Sequence, residues 1–376
     1  MIMLFFLTSC GGGGSDSSAS AGQVKISEGT PAPAAPAPVS STALPAASPP
    51  PTVYGYTLAP AARPSVGPSF PVGKCIGMGS TLDLDEEGKW RRAILDSDFT
   101  NIRRQGFQTV RIPVKFSAHS KNVAPYTIDP VFLARVRYVV DKAVASDLNV
   151  IVDLHNFDEI MDAPAANLDW FVAMWRQVGA TLADEPANVS FDLLNEPTGR
   201  LNNLKNLSSI MDPAIAAIRV TNPRRILLIS SQQSGAISTL ANMQLPNDPY
   251  IVPTFHYYAP MAFTHQGAYW TTVQYPVGRS FGSDDDIAEL NANVQRVKAY
   301  MDQTGRVPLL GEFGAISTTG VPTSERIKYY GMVSAAFASI GIQNCAWSYM
   351  NGFIFYDDKE WVPGLTEALQ TTTTLQ

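Results

Sequence analysis

From Val72 onward, short β-branched runs alternate with amphipathic helical patterns, and that alternation points to a parallel sheet with crossover helices. Eight strands are predicted: Lys74–Gly79, Thr109–Pro113, Asn149–His155, Val189–Asn195, Ile226–Ser230, Ile251–His256, Val307–Glu312 and Gln343–Ser348. Helix signals fall between them. Asp129 can cap a helix with Pro130 at its first position, and Phe132, Val136, Val139, Val140 and Ala143 then share one face. Ser283 followed by Asp284, Asp285 and Asp286 starts another, with negative charge at the positive end of the helix dipole. A third carries Ile327, Tyr330, Val333, Phe337 and Ile340 and stops at Gly341. Eight such units in about three hundred residues fit a (β/α)8 TIM barrel. A doubly wound open sheet is the alternative, but Gly77-Met78-Gly79-Ser80 is a poor phosphate-binding turn.

The first seventy residues read differently. Of 28 prolines in the chain, 12 lie between Pro31 and Pro71. A Gly/Ser stretch and then Pro31-Ala32-Pro33-Ala34-Ala35-Pro36-Ala37-Pro38 cannot build a core, so residues 11–70 are expected to be a disordered, semi-extended tether. Residues 1–10 form an apolar leader ending in Leu7-Thr8-Ser9-Cys10, which resembles a bacterial lipobox with Cys10 as the lipidated residue. This predicts export, with a lipid anchor to the membrane through Cys10 or release outside the cell. The folded barrel is then residues 71–376. Net charge is -6 and no basic block is present, so nucleic acid is not an expected partner. Three cysteines exclude a disulfide-dense scaffold, and no apolar run reaches the roughly 20 residues of a spanning helix.

Chemistry collects where the strands end. Their apolar interiors give way to Arg111, His155, Asn195-Glu196-Pro197, His256-Tyr257-Tyr258, Glu312 and Trp347. In a barrel the carboxyl ends of the strands face the active site. Glu196 and Glu312 each close an apolar strand, where a carboxylate is costly unless it is hydrogen-bonded or functional. Two carboxylates facing across a barrel mouth are what glycoside hydrolysis requires, one protonated to serve the leaving oxygen and one ionised.

These segments together resemble glycoside hydrolase family 5, the cellulase family of retaining barrel enzymes. Asn195-Glu196-Pro197 looks like its fourth-strand signature. Gly106 to Pro113, with Arg111, is similar to its second strand, and Val150 to Asn156, with His155, to its third. His256-Tyr257-Tyr258 fits strand six, Leu310-Gly311-Glu312-Phe313-Gly314 the nucleophile segment, and Trp347 strand eight. The resemblance spans about Pro71 to Leu369. One departure is the first strand, where Met78 and Ser80 stand in place of asparagines that help shape the sugar-binding floor.

The resemblance implies Glu196 as acid/base and Glu312 as nucleophile. It implies Arg111 and Tyr258 as groups that orient Glu312, Asn195 as a partner of the sugar 2-hydroxyl, and His155 and His256 as cleft residues. Trp347 is expected under a pyranose ring and Trp270 in a subsite loop, whereas Trp175 belongs to a helix core. No cofactor is expected, and the histidines look too few and too dispersed for a metal site. Cys75 and Cys345 fall on strands one and eight, which are neighbours in a closed barrel; a disulfide is the alternative in an exported protein, but two buried free thiols are expected, because adjacent parallel strands rarely offer disulfide geometry. The leading functional expectation is an endo-acting β-1,4-glucanase that works as a monomer on a β-linked polysaccharide. A β-mannanase or xyloglucanase of the same fold, or a noncatalytic surface glycan-binding lipoprotein, are the alternatives.

Overall fold

The computed structural model describes residues 49–318 and 320–373. The leader, Cys10 and the Pro/Ala segment up to residue 48 lie outside the described residues. Eight parallel strands close into a barrel: β1 (Lys74–Gly77), β2 (Thr109–Val114), β3 (Asn149–Leu154), β4 (Val189–Asp192), β5 (Leu227–Ser230), β6 (Ile251–Tyr257), β7 (Leu309–Phe313) and β8 (Asn344–Ala346). All eight predicted strands are present in the predicted order, and β8 pairs with β1 to complete the ring. The main crossover helices are α1 (Asp96–Arg104), α2 (Pro130–Ala145), α3 (Pro164–Thr181), α4 (Leu204–Arg219), α5 (Asp284–Thr304) and α6 (Thr323–Ala338). Their caps follow from sequence. The Asp129 carboxylate accepts from Val131 N ahead of Pro130, and Ser283 and Asp286 form a reciprocal capping box.

The period of two along each strand builds the barrel interior in layers. Outward residues such as Val150, Val152 and Leu154 join the large core beneath the helices. Inward residues near the amino ends, including Cys75, Ile151, Leu228, Val252, Leu309 and Cys345, form an apolar floor. Two positions further along, the inward set turns polar: Arg111, Asp153, Asp192 and Thr254, all fully buried. One more step reaches the mouth at His155, His256 and Glu312.

Two expectations change. The expected tether reaches residue 70, but residues 49–70 pack on the barrel. Thr52–Val53 pairs with Tyr56–Thr57, and Leu58 is buried against Ala335 and Ala338 of α6. Ala62 N donates to Gly341 O (2.9 Å) and Ser65 N to Gly305 O (2.8 Å). The apolar side chains Val53, Tyr56 and Leu58 supply burial, and the carbonyls at the ends of α5 and α6, which lack intrahelical partners, supply acceptors. Composition alone hides both.

The second change concerns Cys75 and Cys345, which are joined in a disulfide rather than left as free thiols. They face each other in register across β1 and β8, with Cα atoms 4.3 Å apart. Asn344, Cys345 and Ala346 pair regularly with Lys74, Cys75 and Ile76, so both cysteine side chains turn into the barrel floor directly opposite one another, close enough to be joined. The bond lies in the apolar floor, away from the mouth. Among the described residues no helix is long and apolar enough to cross a membrane.

Candidate active site

Arg111 organises the polar layer. Its guanidinium is fully buried and donates to Asp192 Oδ2 (3.0 and 3.2 Å) and Asn195 Oδ1 (2.9 Å), contacts Asp153 Oδ2 (3.1 Å), and pairs with Glu312 Oε1. Five donors in a rigid fork suit such a cluster of acceptors. Burial disfavours the Arg111 charge, but Asp153, Glu312 and Asp192 outweigh it and keep the group ionised. Asp192 feels burial most strongly; with Asp153 close by, its pKa rises to about 6 despite Arg111.

Glu312 ends β7 almost fully buried. Tyr258 Oη donates to its Oε2 at 2.9 Å, while Arg111 holds Oε1. Burial alone would raise its pKa. The charges of His256, Arg111 and His155 and the Tyr258 hydroxyl outweigh burial and hold the carboxyl below the usual glutamate range. Tyr258 is pushed well above its usual pKa by burial and by Glu312, so it stays a donor.

Glu196 lies just beyond β4 in a different setting. Its side chain is 32% exposed and its backbone takes the left-handed conformation (φ 46°), rare for a non-glycine residue and common at functional sites. His256 Nδ1 donates to its Oε1 at 2.8 Å and lies 3.7 Å from Glu312 Oε2. One oxygen of each glutamate and a ring nitrogen of His256 lie within 4.8 Å of one another. Thus at least one histidine is not dispersed. A small cation would fit that spacing, but Nδ1 is committed to Glu196 and the Glu312 oxygens to Arg111 and Tyr258. The chemistry of the set is that of an acid–base pair rather than of metal ligands.

The remaining predicted residues surround this pair. His155 Nδ1 contacts Asp153 Oδ2 at 2.6 Å, and its Nε2 lies 3.4 Å from Asn195 Nδ2. Burial opposes a charge on His155, yet Asp153 raises its pKa to about 9. The Trp347 ring lies parallel to His155, with centroids 5.7 Å apart. It also rests on β1: a methyl at Gly77 would meet the ring at 2.6 Å, and one at Gly79 would collide with it. Those two glycines therefore serve Trp347 rather than a phosphate. Met78 between them is buried in the core, and Ser80 lines the adjoining cleft.

A cavity of about 590 Å³ holds His155, Asn195, Glu196, His256, Tyr258, Glu312, Trp270 and Trp347, which brings together every predicted site residue of the barrel except the fully buried Arg111. A second cavity of about 800 Å³ shares Trp270, Trp347 and Phe353 with it and continues to Asp83, Lys89, Trp90 and Tyr269. Trp175 is core, as expected, with Nε1 donating to Leu193 O.

Sequence reading passed over Asp153 and Asp192, although an acid inside each of two apolar strands signals a buried cation. His265 was also passed over. The Thr264 hydroxyl donates to Tyr258 O (2.6 Å), so it accepts from His265 Nδ1 (3.0 Å) and leaves Nε2 as an acceptor. Burial lowers this pKa to about 4, so His265 is neutral where His155 and His256 attract protons.

Comparison with known proteins places this geometry. The Cellulase family, glycosyl hydrolase family 5, matches residues 75–352. Endoglucanase H of Acetivibrio thermocellus is 29% identical over 292 residues, covering 77% of this chain but only 31% of that protein, so the chain spans about a third of that relative. Cellodextrinase A of Ruminococcus flavefaciens is 26% identical over 66% of this chain and 76% of its own length. Cel5A of Thermotoga maritima, solved with cellobiose, superposes with a TM-score of 0.76 at 30% identity, covering 80% of this chain and 97% of that one. The barrel and the family match over most of its length lead to one conclusion: the chain belongs to glycoside hydrolase family 5, the cellulase family.

Proposed function

We propose that this glycoside hydrolase is an endo-acting β-1,4-glucanase that cleaves with retention. Glu312 is the nucleophile and Glu196 the acid/base. One observation carries the reading: two glutamates face each other with oxygens within 4.8 Å, one buried among cations and one half-exposed. Retaining pairs sit about 5–5.5 Å apart, whereas inverting pairs leave room for a water between them.

The steps follow from the environments. Glu312, held ionised by Arg111, His256 and Tyr258, attacks the anomeric carbon as Glu196 protonates the leaving oxygen. Glu196, now a carboxylate, takes a proton from water, which attacks the same carbon and releases Glu312. Asn195, fixed by Arg111, offers its amide to the sugar 2-hydroxyl. Trp347 gives a flat face for one pyranose and Trp270 and Trp90 for others. An open cleft made of two adjoining cavities suits internal cleavage of a long chain.

The names of the relatives, endoglucanases and a cellodextrinase, support a β-glucan substrate. Mannan is the second reading, because Thermotoga maritima Cel5A has also been solved with mannotriose. We also infer export: the lipobox-like Cys10 segment and the Cys75–Cys345 bond both suit an oxidising compartment. Reducing-sugar release from carboxymethylcellulose, mannan and xyloglucan is the test. Wild type should favour carboxymethylcellulose, and Glu312→Gln should abolish turnover while glycan binding persists. Undiminished turnover in that variant would reject Glu312 as nucleophile.

A further inference from the structure

His256 lies between the two glutamates, but only one of its nitrogens is accounted for. Nδ1 faces Glu196 and Glu312. Nε2 points into the barrel interior, is buried, and has no hydrogen-bond partner among the described residues. One inward step below it on β6, the fully buried Thr254 hydroxyl is in the same position. A buried polar atom without a partner costs about 1–3 kcal/mol, so two on one strand require an explanation.

Gly311 supplies it. A methyl group built on its α-carbon would collide with Thr254 Oγ1 and come within 3.2 Å of His256 Nε2. Both orphaned atoms therefore pack against the same α-carbon, because residue 311 has no side chain to part them, and they lie close enough together for one water to reach both. A buried water needs at least two polar partners and room for about one probe sphere.

We propose that a single water beside Gly311 bridges Thr254 Oγ1 to His256 Nε2, making Thr254 a positioning residue for Glu196. With that acceptor present, both ring nitrogens of His256 can carry hydrogen, and the ring is fixed with Nδ1 toward Glu196. The charged groups facing the ring are Glu196 and Asp192 from the β4 side, Glu312 from β7 and Arg111 from β2. When Glu196 gives its proton to the leaving oxygen, the cationic ring beside it stabilises the new carboxylate. Removing the acceptor from Nε2 weakens the cation and so slows that step. This role rests on the acid/base assignment of Glu196, whereas the bridge itself does not.

The test uses Thr254→Val, which keeps the shape and removes the hydroxyl, beside Thr254→Ser, which retains it. The chain has four histidines, so a histidine-15N-labelled sample gives a readable titration of each imidazole. In Thr254→Val, His256 should titrate roughly one pH unit lower than in wild type, and kcat/KM should fall about tenfold. The serine variant should restore both. A crystal structure of the wild-type protein should show a water within hydrogen-bond distance of both atoms. Superimposable His256 titrations in wild type and Thr254→Val, a serine variant that behaves like valine, or a crystal structure without a water between the two atoms would each overturn the bridge. If the titration shifts but Glu196→Gln retains full turnover, the bridge stands and the catalytic role of Glu196 falls.

Discussion

Removing the Cys75–Cys345 bond should cost stability and leave catalysis alone. The bond joins residues 270 apart in sequence, across the seam where the last strand meets the first. In the chain-entropy model a closed loop of 100 residues is worth about 4.7 kcal/mol, and the dependence on length is only logarithmic, so this loop adds less than 1 kcal/mol to that figure. Native disulfides usually deliver about 2–5 kcal/mol, because the denatured chain keeps some structure. Replacing both cysteines by alanine also opens a small gap in the apolar floor, which adds to the loss. We expect Cys75→Ala/Cys345→Ala to unfold about 3–5 kcal/mol more easily and to melt several degrees lower, since about 1 kcal/mol moves the midpoint of a large domain by roughly 2 °C. Urea and thermal unfolding, with and without reductant, measure this directly. Both cysteines lie in the floor, two positions or more below the mouth, so kcat/KM at 25 °C should match wild type. If the double variant and the reduced wild type melt with the oxidised protein, the staple is absent or contributes nothing. Lost activity at full stability would refute the separation of floor from mouth.

Two further perturbations probe the site. Tyr258→Phe removes the donor to Glu312 Oε2, so the depressed pKa of Glu312 should rise. Ionised Glu312 is the active form above its pKa, so the acidic limb of kcat/KM should move to higher pH by about one unit, the value of one hydrogen bond to a charged group; an unmoved limb would count against Tyr258 as the group that holds Glu312 ionised. Trp90→Ala and Trp270→Ala should raise KM several-fold on long glucans while changing turnover of a small aryl glycoside little, because Trp90 lines the second cavity and Trp270 the junction of the two. Equal losses on both substrates would refute a subsite role.

The fold was legible because the barrel writes a period of two into each strand and a polar residue at its end. In β3, Ile151, Asp153 and His155 point inward in turn, and the sequence Val150-Ile151-Val152-Asp153-Leu154-His155 shows that alternation without coordinates. What stayed hidden depends on pairing between distant segments. Asp153 and Asp192 could be read as anomalies, but their shared use of Arg111 appears only once β2, β3 and β4 are adjacent. The disulfide depends on the register of β8 against β1, which sets two residues 270 apart in sequence opposite each other and which no local pattern encodes. Residues 49–70 look solvated by composition, and their order comes from helix-end carbonyls some 240 residues away in sequence.

The two glutamates show why position alone did not define their tasks. Both end an apolar strand, and both face His256. Glu312 is sealed in: Arg111, His256 and His155 surround it with positive charge, and its oxygens are claimed by Arg111 and Tyr258. Such a carboxylate resists protonation and suits attack on carbon. Among the described residues Glu196 has one hydrogen-bond partner, His256, and it stands at the edge of the cleft where a leaving oxygen and then a water can reach it. A residue that must give up a proton and take one back needs that access, and burial like that of Glu312 would deny it. Exchanging the two by sequence motif would be a small change; exchanging their surroundings would mean rebuilding the layer beneath, from Arg111 through Asp153 and Asp192. The division of labour proposed for the two therefore rests on the buried layer beneath them.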